Sequence, residues 1–173
     1  QERAELYRTI WQIANDLRGS VDGWDFKTYV LGMLFYRFIS ENLTHYINEH
    51  EQKVDPNFDY AKLSDEQAEM GRADTVKEKG FYILPSELFV NVRDKARHDT
   101  NLNETLAAVF RNIESSAKGT DSEPDLKGLF DDLDVNSNKL GSTVEKRNQK
   151  LVKLLEAIGD LGLGNYYDNT IDA

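Results

Sequence analysis

"WDFKTYVLGMLFYRFI", Trp24 to Ile39, is the most apolar stretch in a 173-residue chain whose formal net charge is −10. Phe26, Tyr29, Val30, Met33 and Leu34 keep a helical period, and Phe38, Ile39, Leu43, Tyr46 and Ile47 continue it. Leu31 and Phe35 fill the opposite side, so the segment is apolar nearly all round, the pattern of a helix buried on several faces. The spacing predicts a long central helix over about residues 24–53, with the other elements packed around it.

Working outward, residues 2–18 place Leu6, Ile10, Ile13 and Leu17 on one helical face, closed by Gly19. Val21-Asp22-Gly23 is a turn, and Asp22 or Asp25 can cap the central helix. Downstream, 61–80 is polar, a surface helix or an excursion. Phe81 to Leu84 reads as a short extended piece, and Pro85 or Ser86 opens a helix through about Arg97. Residues 101–118 form a helix on Leu102, Leu106, Val109, Phe110 and Ile113, capped by an Asn or Thr and ended by Gly119. The acidic 120–141 segment holds a short helix anchored by Leu126, Leu129, Phe130 and Leu133. A last helix, about 143–158, uses Val144, Leu151, Leu154, Leu155 and Ile158, and Gly159, Gly162 and Gly164 end it. The fold class expected is all-α: one compact multi-helix bundle, residues 1–173, with at most a short extended piece near 81–84.

Composition narrows the function classes. With 39% hydrophobic and 30% charged residues, eight Tyr, eight Phe and two Trp, the chain can bury a core of its own. The absence of cysteine excludes disulfides and thiolate metal sites. Residues 1–20 are charged throughout and lack the apolar region of a signal peptide, and the longest uncharged run, Thr28 to Tyr36, falls far short of the roughly 20 residues of a membrane span. A soluble cytoplasmic protein is the default expectation, under which the sequons at Asn42 and Asn103 are chance matches. The ends, Gln1 and Ala173, suggest a piece of something longer.

Few motifs carry chemistry. Asp134, Asn136, Asn138 and Glu145 stand at calcium-loop spacing, but Lys139 occupies the position that needs glycine, so an Asn/Ser-rich turn into a capped helix is the better reading. Leu161-Gly162-Leu163-Gly164-Asn165 follows a helix and opens none, which makes it a helix end rather than a nucleotide loop. Asp55-Pro56-Asn57-Phe58 lacks the second proline of the base-holding motif of amino-group DNA methyltransferases and is a linker. His45, His50 and His98 stand apart from one another, without metalloprotease spacing. No catalytic or metal-ligating constellation emerges. Two basic stripes do: Lys146, Lys150 and Lys153 with Arg147 on the last helix, and Arg93, Lys95 and Arg97 at the end of the helix after Pro85. Each fits a solvated face, or contact with phosphates or an acidic partner. The acidic balance argues against nucleic-acid binding by the chain as a whole but leaves room for a local basic stripe.

Three segments in order, "IWQIANDLRGSVDGWDFKTYVLGMLFYRFISENL" (Ile10 to Leu43), "GFYILPSELF" (Gly80 to Phe89) and "LFDDLDVNSNKLG" (Leu129 to Gly141), resemble the N-terminal helical domain of the modification (M) subunit of type I restriction–modification systems. The first is the most distinctive, down to its Leu-Arg-Gly turn and Asp-Phe-Lys-x-Tyr-Val-Leu helix start. The resemblance implies a parent subunit that methylates adenine N6 in DNA with S-adenosylmethionine. It implies assembly of two M subunits with one specificity (S) subunit, and with restriction (R) subunits in the nuclease. The helical domain would help enclose DNA and assemble the complex. The family's cofactor loop and Asn-Pro-Pro-Phe/Tyr motif would lie beyond Ala173, leaving no cofactor or catalytic residue in this stretch. The alternative is a purely protein-interaction domain that never touches DNA.

Overall fold

The computed structural model describes residues 25–162, apart from the side chains of Asp25, Phe26 and Leu129. The helix expected over 2–18, the turn before Trp24 and residues 163–165 of the glycine-rich end lie outside the described residues. The described residues form seven α-helices and no strand: α1 (Asp25–Glu51), α2 (Asp65–Glu69), α3 (Arg72–Lys79), α4 (Phe89–Ala96), α5 (Leu102–Ser116), α6 (Glu123–Asp131) and α7 (Val144–Gly159). Single 3-10 turns at Tyr60–Lys62 and Pro85–Glu87 join them.

α1 is the long apolar helix. Val30, Met33, Leu34, Tyr36, Ile39 and Leu43 are buried along it, each large aliphatic side chain contributing about 2 kcal/mol of burial. The centre is shared, because α7 packs on α1, α4 and α5 together. Burial is not complete around α1. Leu31 is 43% exposed, and Phe35 and Phe38 are only partly buried against the core. The expected closure on every side therefore fails at Leu31: an apolar circumference allows burial on any flank, but burial occurs only where a neighbour arrives.

Close approach on another flank has a sequence cause. A Cβ at Gly32 would lie 3.0 Å from both methyl carbons of Leu133, so the glycine lets the segment after α6 settle directly on α1. The Tyr29 hydroxyl donates to the Asp134 carbonyl (2.6 Å) and fastens the same segment.

Several helix ends are capped by side chains from distant helices rather than by local ones. The expected helix from Pro85 to Arg97 is interrupted: Leu88 adopts an extended conformation (φ −62°, ψ 144°), fully buried, and α4 starts afresh at Phe89. Ser40 of α1 supplies the missing cap, its Oγ accepting from the Phe89 N–H (3.1 Å). Before the break, the buried Tyr36 hydroxyl donates to the Glu87 carbonyl, and its ring meets Phe89 and Phe110 edge-on at 5.4 and 5.3 Å. Asn101 occupies the cap position of α5, but its side chain makes no capping bond. Asn148 of α7 caps instead, Oδ1 accepting from the Asn103 N–H (2.9 Å) while Nδ2 donates to the Thr100 carbonyl (3.0 Å). At the other end of α7, Arg37 Nη1 donates to the carbonyls of Ile158 (2.7 Å) and Leu161 (2.8 Å), satisfying acceptors that a helix C-terminus leaves open.

The remaining expectations divide. Leu126, Phe130 and Leu133 are buried as anchors, and so are Leu151, Leu154, Leu155 and Ile158. Val144 is not an anchor. It is 44% exposed at the first position of α7, where Thr143 caps by accepting from the Lys146 N–H (3.2 Å). The polar stretch 61–80 resolves into α2 and α3, and α3 ends at Gly80 with φ +89°, a conformation suited to glycine.

Candidate nucleic-acid interface

Lys146, Lys150 and Lys153 recur at 4 and 3 residues along α7, which sets them on one side of the helix over roughly 10 Å. Lys146 and Lys153 are exposed and Lys150 is half-buried, while Leu151, Leu154 and Leu155 enter the core. One turn beyond Lys153, Glu156 receives Arg97, the residue that follows α4, in a two-pronged ion pair, with Nη2 2.8 Å from Oε1 and Nε on Oε2. The guanidinium holds the Glu156 carboxyl below its usual range by hydrogen bonding and charge. Arg97 stays largely exposed despite the pair. It continues the line of the lysines from just past the end of α4, with its charge balanced by Glu156.

The other cations of the two stripes behave differently from one another. Arg147 is committed inward: Nη1 donates to the Gly141 carbonyl (3.0 Å) and to Asn138 Oδ1 (3.3 Å), and its Nε is buried without a protein partner. It fastens the preceding loop to α7. Arg93 lies across the end of α7, where a Cβ on Gly159 would come within 2.4 Å of its Cδ, and it reaches Asp94 Oδ1 at 3.3 Å. Arg93, Arg97 and His98 share a shallow groove of about 420 Å³ with Glu156 and Asp160. Lys95 faces elsewhere, beside Ala61, Ser64 and Asp65. The two stripes thus separate into a row (Lys146, Lys150, Lys153, Arg97), a flank (Arg93) and an outlier (Lys95), with Arg147 as a structural tie.

Groups that resembled metal ligands are engaged in the fold. Asp134 Oδ1 accepts from the Asn136 N–H (2.9 Å), Asn136 Oδ1 from Asn103 Nδ2 (2.5 Å), and Asn138 Oδ1 from Arg147. This is the Asn-rich turn expected from the sequence. Among the described residues no three His, Cys, Asp or Glu side chains converge on a metal-sized position. His45 pairs with Glu49 at 3.6 Å, His50 Nδ1 lies 3.1 Å from the Tyr46 carbonyl, and His98 sits in the groove with Arg97. No described helix is long and apolar enough to cross a membrane.

Sequence reasoning found the lysine row but missed Ser40, Arg37 and Asn148, whose roles depend on partners 49 to 124 residues away for the first two and 45 and 48 for the last. One signal was legible. Residues two apart do not share a helical side, whereas residues four apart do, so spacing alone parts Lys95 from Arg93 and Arg97.

Comparison with known proteins gives this helical scaffold a context. The family model described as the HsdM N-terminal domain matches residues 6–158. The methylase subunit of the type I restriction enzyme MpnII of Mycoplasma pneumoniae is 44% identical over 180 aligned positions, covering all of this chain and 33% of that protein. The crystal structure of a type I restriction–modification methyltransferase subunit from Streptococcus thermophilus aligns with a TM-score of 0.73 at 27% identity, over 99% of this chain and 38% of that one. The chain therefore spans between a third and two-fifths of the length of these relatives. It belongs to the HsdM N-terminal domain family, the N-terminal helical domain of type I restriction–modification methylase subunits.

Proposed function

We propose that residues 1–173 are a single helical, non-catalytic module of a cytoplasmic DNA methyltransferase subunit. The parent would methylate adenine N6 at sites chosen by a specificity subunit. The module would help enclose DNA and assemble with the specificity subunit, a second modification subunit and restriction subunits. The observation that carries this reading is the family match over residues 6–158, together with relatives whose methylase subunits are about three times as long. The row of Lys146, Lys150 and Lys153, with the Glu156-paired Arg97 beyond it, supports a phosphate-facing side. It is a local basic line on an acidic chain, and counterion release at such a line drives non-specific DNA affinity.

S-adenosylmethionine is the cofactor that the parent would use, as methyl donor. The described residues do not fit it. A nucleotide-type cradle needs a strand that turns through glycine into a helix. Here, among the described residues, there is no strand, and the two glycines of positive φ, Gly80 and Gly119, both follow helix ends. No step of methyl transfer is routed through this chain. The test is a methylation assay with tritiated methyl donor on unmodified DNA. The isolated chain transfers no methyl group, and the full-length parent with its specificity subunit does. Transfer by the isolated chain would overturn the proposal.

A second reading, a domain that only contacts protein, is favoured by one observation, the net charge of −10. It predicts that neutralising the lysine row disturbs assembly and leaves DNA affinity unchanged.

A further inference from the structure

The C-terminal half of α1, the 58–63 segment, α2 and the first turns of α3 enclose an open groove of about 610 Å³ on which none of the cation row lies. At its base Tyr60 and Tyr82, almost fully buried, meet edge to face at 6.2 Å, and both phenols donate to backbone: Tyr60 to the Ile83 carbonyl (2.7 Å), Tyr82 to the Ala68 carbonyl. Burial raises both hydroxyls above the ordinary tyrosine range. Tyr46, Phe58 and Leu63 continue the apolar lining, and Met70 stands at the mouth 83% exposed. A flexible thioether in solvent beside aromatic carbon is a surface that can adapt to an incoming side chain.

The lining is mainly acidic. Glu51, Asp74 and Glu78 line the groove with His50 and no lysine or arginine, and none of the three carboxylates makes an ion pair among the described residues. The chain's own cations show what such aromatic faces accept. Lys79 Nζ sits 5.2 Å from the Tyr46 ring centre, and the Arg72 guanidinium 5.2 Å from that of Tyr82. The geometry points to a protein-docking site for a basic amphipathic segment of a partner: a large apolar side chain seated on Tyr46, Phe58, Leu63 and Met70, flanked by Lys or Arg facing Glu51, Asp74 and Glu78. Three unpaired carboxylates oppose phosphate here, so this face and the lysine row address partners of opposite sign. The inference does not depend on the DNA contact proposed above.

The probe is a fluorescent helical peptide of about twelve leucines and lysines at 3–4 spacing, with a leucine–glutamate peptide as its counterpart. Binding to the 173-residue chain is read by anisotropy, and the site by amide shift perturbation. The docking site predicts binding of the basic peptide only, with shifts centred on Tyr46, Met70 and Asp74. Glu51→Lys with Glu78→Lys should weaken binding at least tenfold. Both positions close a helix, where lysine suits the dipole, so this variant should fold. Asp121→Lys with Asp132→Lys changes the net charge equally at exposed positions elsewhere and should change affinity less than twofold. Equal losses in the two variants, binding of the glutamate peptide, or shifts outside the groove would overturn the proposal. So would shifts of the groove amides on adding duplex DNA, or a concentration-dependent dimer abolished by the groove variant.

Discussion

Asn148→Leu tests whether α5 is held in place by α7. Asn148 is 8% exposed, and its amide makes the two bonds that start α5: Oδ1 accepts from the Asn103 N–H, Nδ2 donates to the Thr100 carbonyl. Leucine has a similar volume, so the change removes hydrogen bonds with little loss of packing. Thr100 is exposed and its carbonyl can turn to water, but Asn103 is buried. The cost is then one orphaned N–H, about 1–3 kcal/mol, and one or two lost bonds of about 1 kcal/mol each. Together these come to about 2–5 kcal/mol. In urea, with a slope of about 2 kcal/mol per molar, the midpoint followed by circular dichroism should fall by roughly 1–2.5 M with the slope unchanged. Asn148→Asp keeps the acceptor and sets a negative charge at the start of α5, so it should lose clearly less than the leucine variant. A loss under about 0.5 kcal/mol for leucine, the range of ordinary surface changes, would refute the reasoning. So would an aspartate variant no better than leucine.

Two further outcomes follow from side chains whose surroundings are equally defined. Arg37→Met keeps much of the aliphatic stem but strips the Ile158 and Leu161 carbonyls of their donor, and should cost about 1–3 kcal/mol in urea unfolding, with amide exchange rising first at the end of α7. Glu114 is raised above the ordinary carboxylate range by burial first and then by Asp131, with Lys127 opposing. Because its folded value exceeds the unfolded one, its ionised form weakens the fold at neutral pH, and the penalty fades as pH falls through the raised value. Glu114→Gln should therefore raise Tm slightly at pH 7, and the gain should vanish in acid.

What the sequence disclosed and what it hid divide along one physical line. Periodicity within a helix is local, and it located α1, α5 and α7 because Val30 and Leu34, Leu106 and Phe110, Leu151 and Leu155 repeat at helical spacing and are buried. Whether a neighbour arrives is not local. Leu31 and Val144 satisfy the same pattern and remain in solvent. The restart of α4 at Phe89 needs Ser40, 49 residues earlier, so Pro85 looked like the start of one uninterrupted helix. For the candidate interface, the spacing of Lys146, Lys150 and Lys153 was readable, but the arrival of Arg97 on Glu156 and the inward turn of Arg147 depend on how α4 and the 134–141 loop meet α7. The groove under Met70 was hidden for a related reason. A lone methionine in a polar stretch carries no period, and its floor comes from Tyr60 and Tyr82, on either side of α2 and α3.

The central claim is that the lysine row of α7 meets DNA phosphate in the assembled methyltransferase. The most direct measurement is the salt dependence of DNA affinity for that complex, with and without Lys146→Gln, Lys150→Gln and Lys153→Gln together. Removing three phosphate partners should flatten the slope of log K against log salt by roughly 2.7, with the subunits still assembled. An unchanged slope in an intact complex would contradict the claim, and failed assembly with unaltered DNA affinity would hand the row to a protein partner.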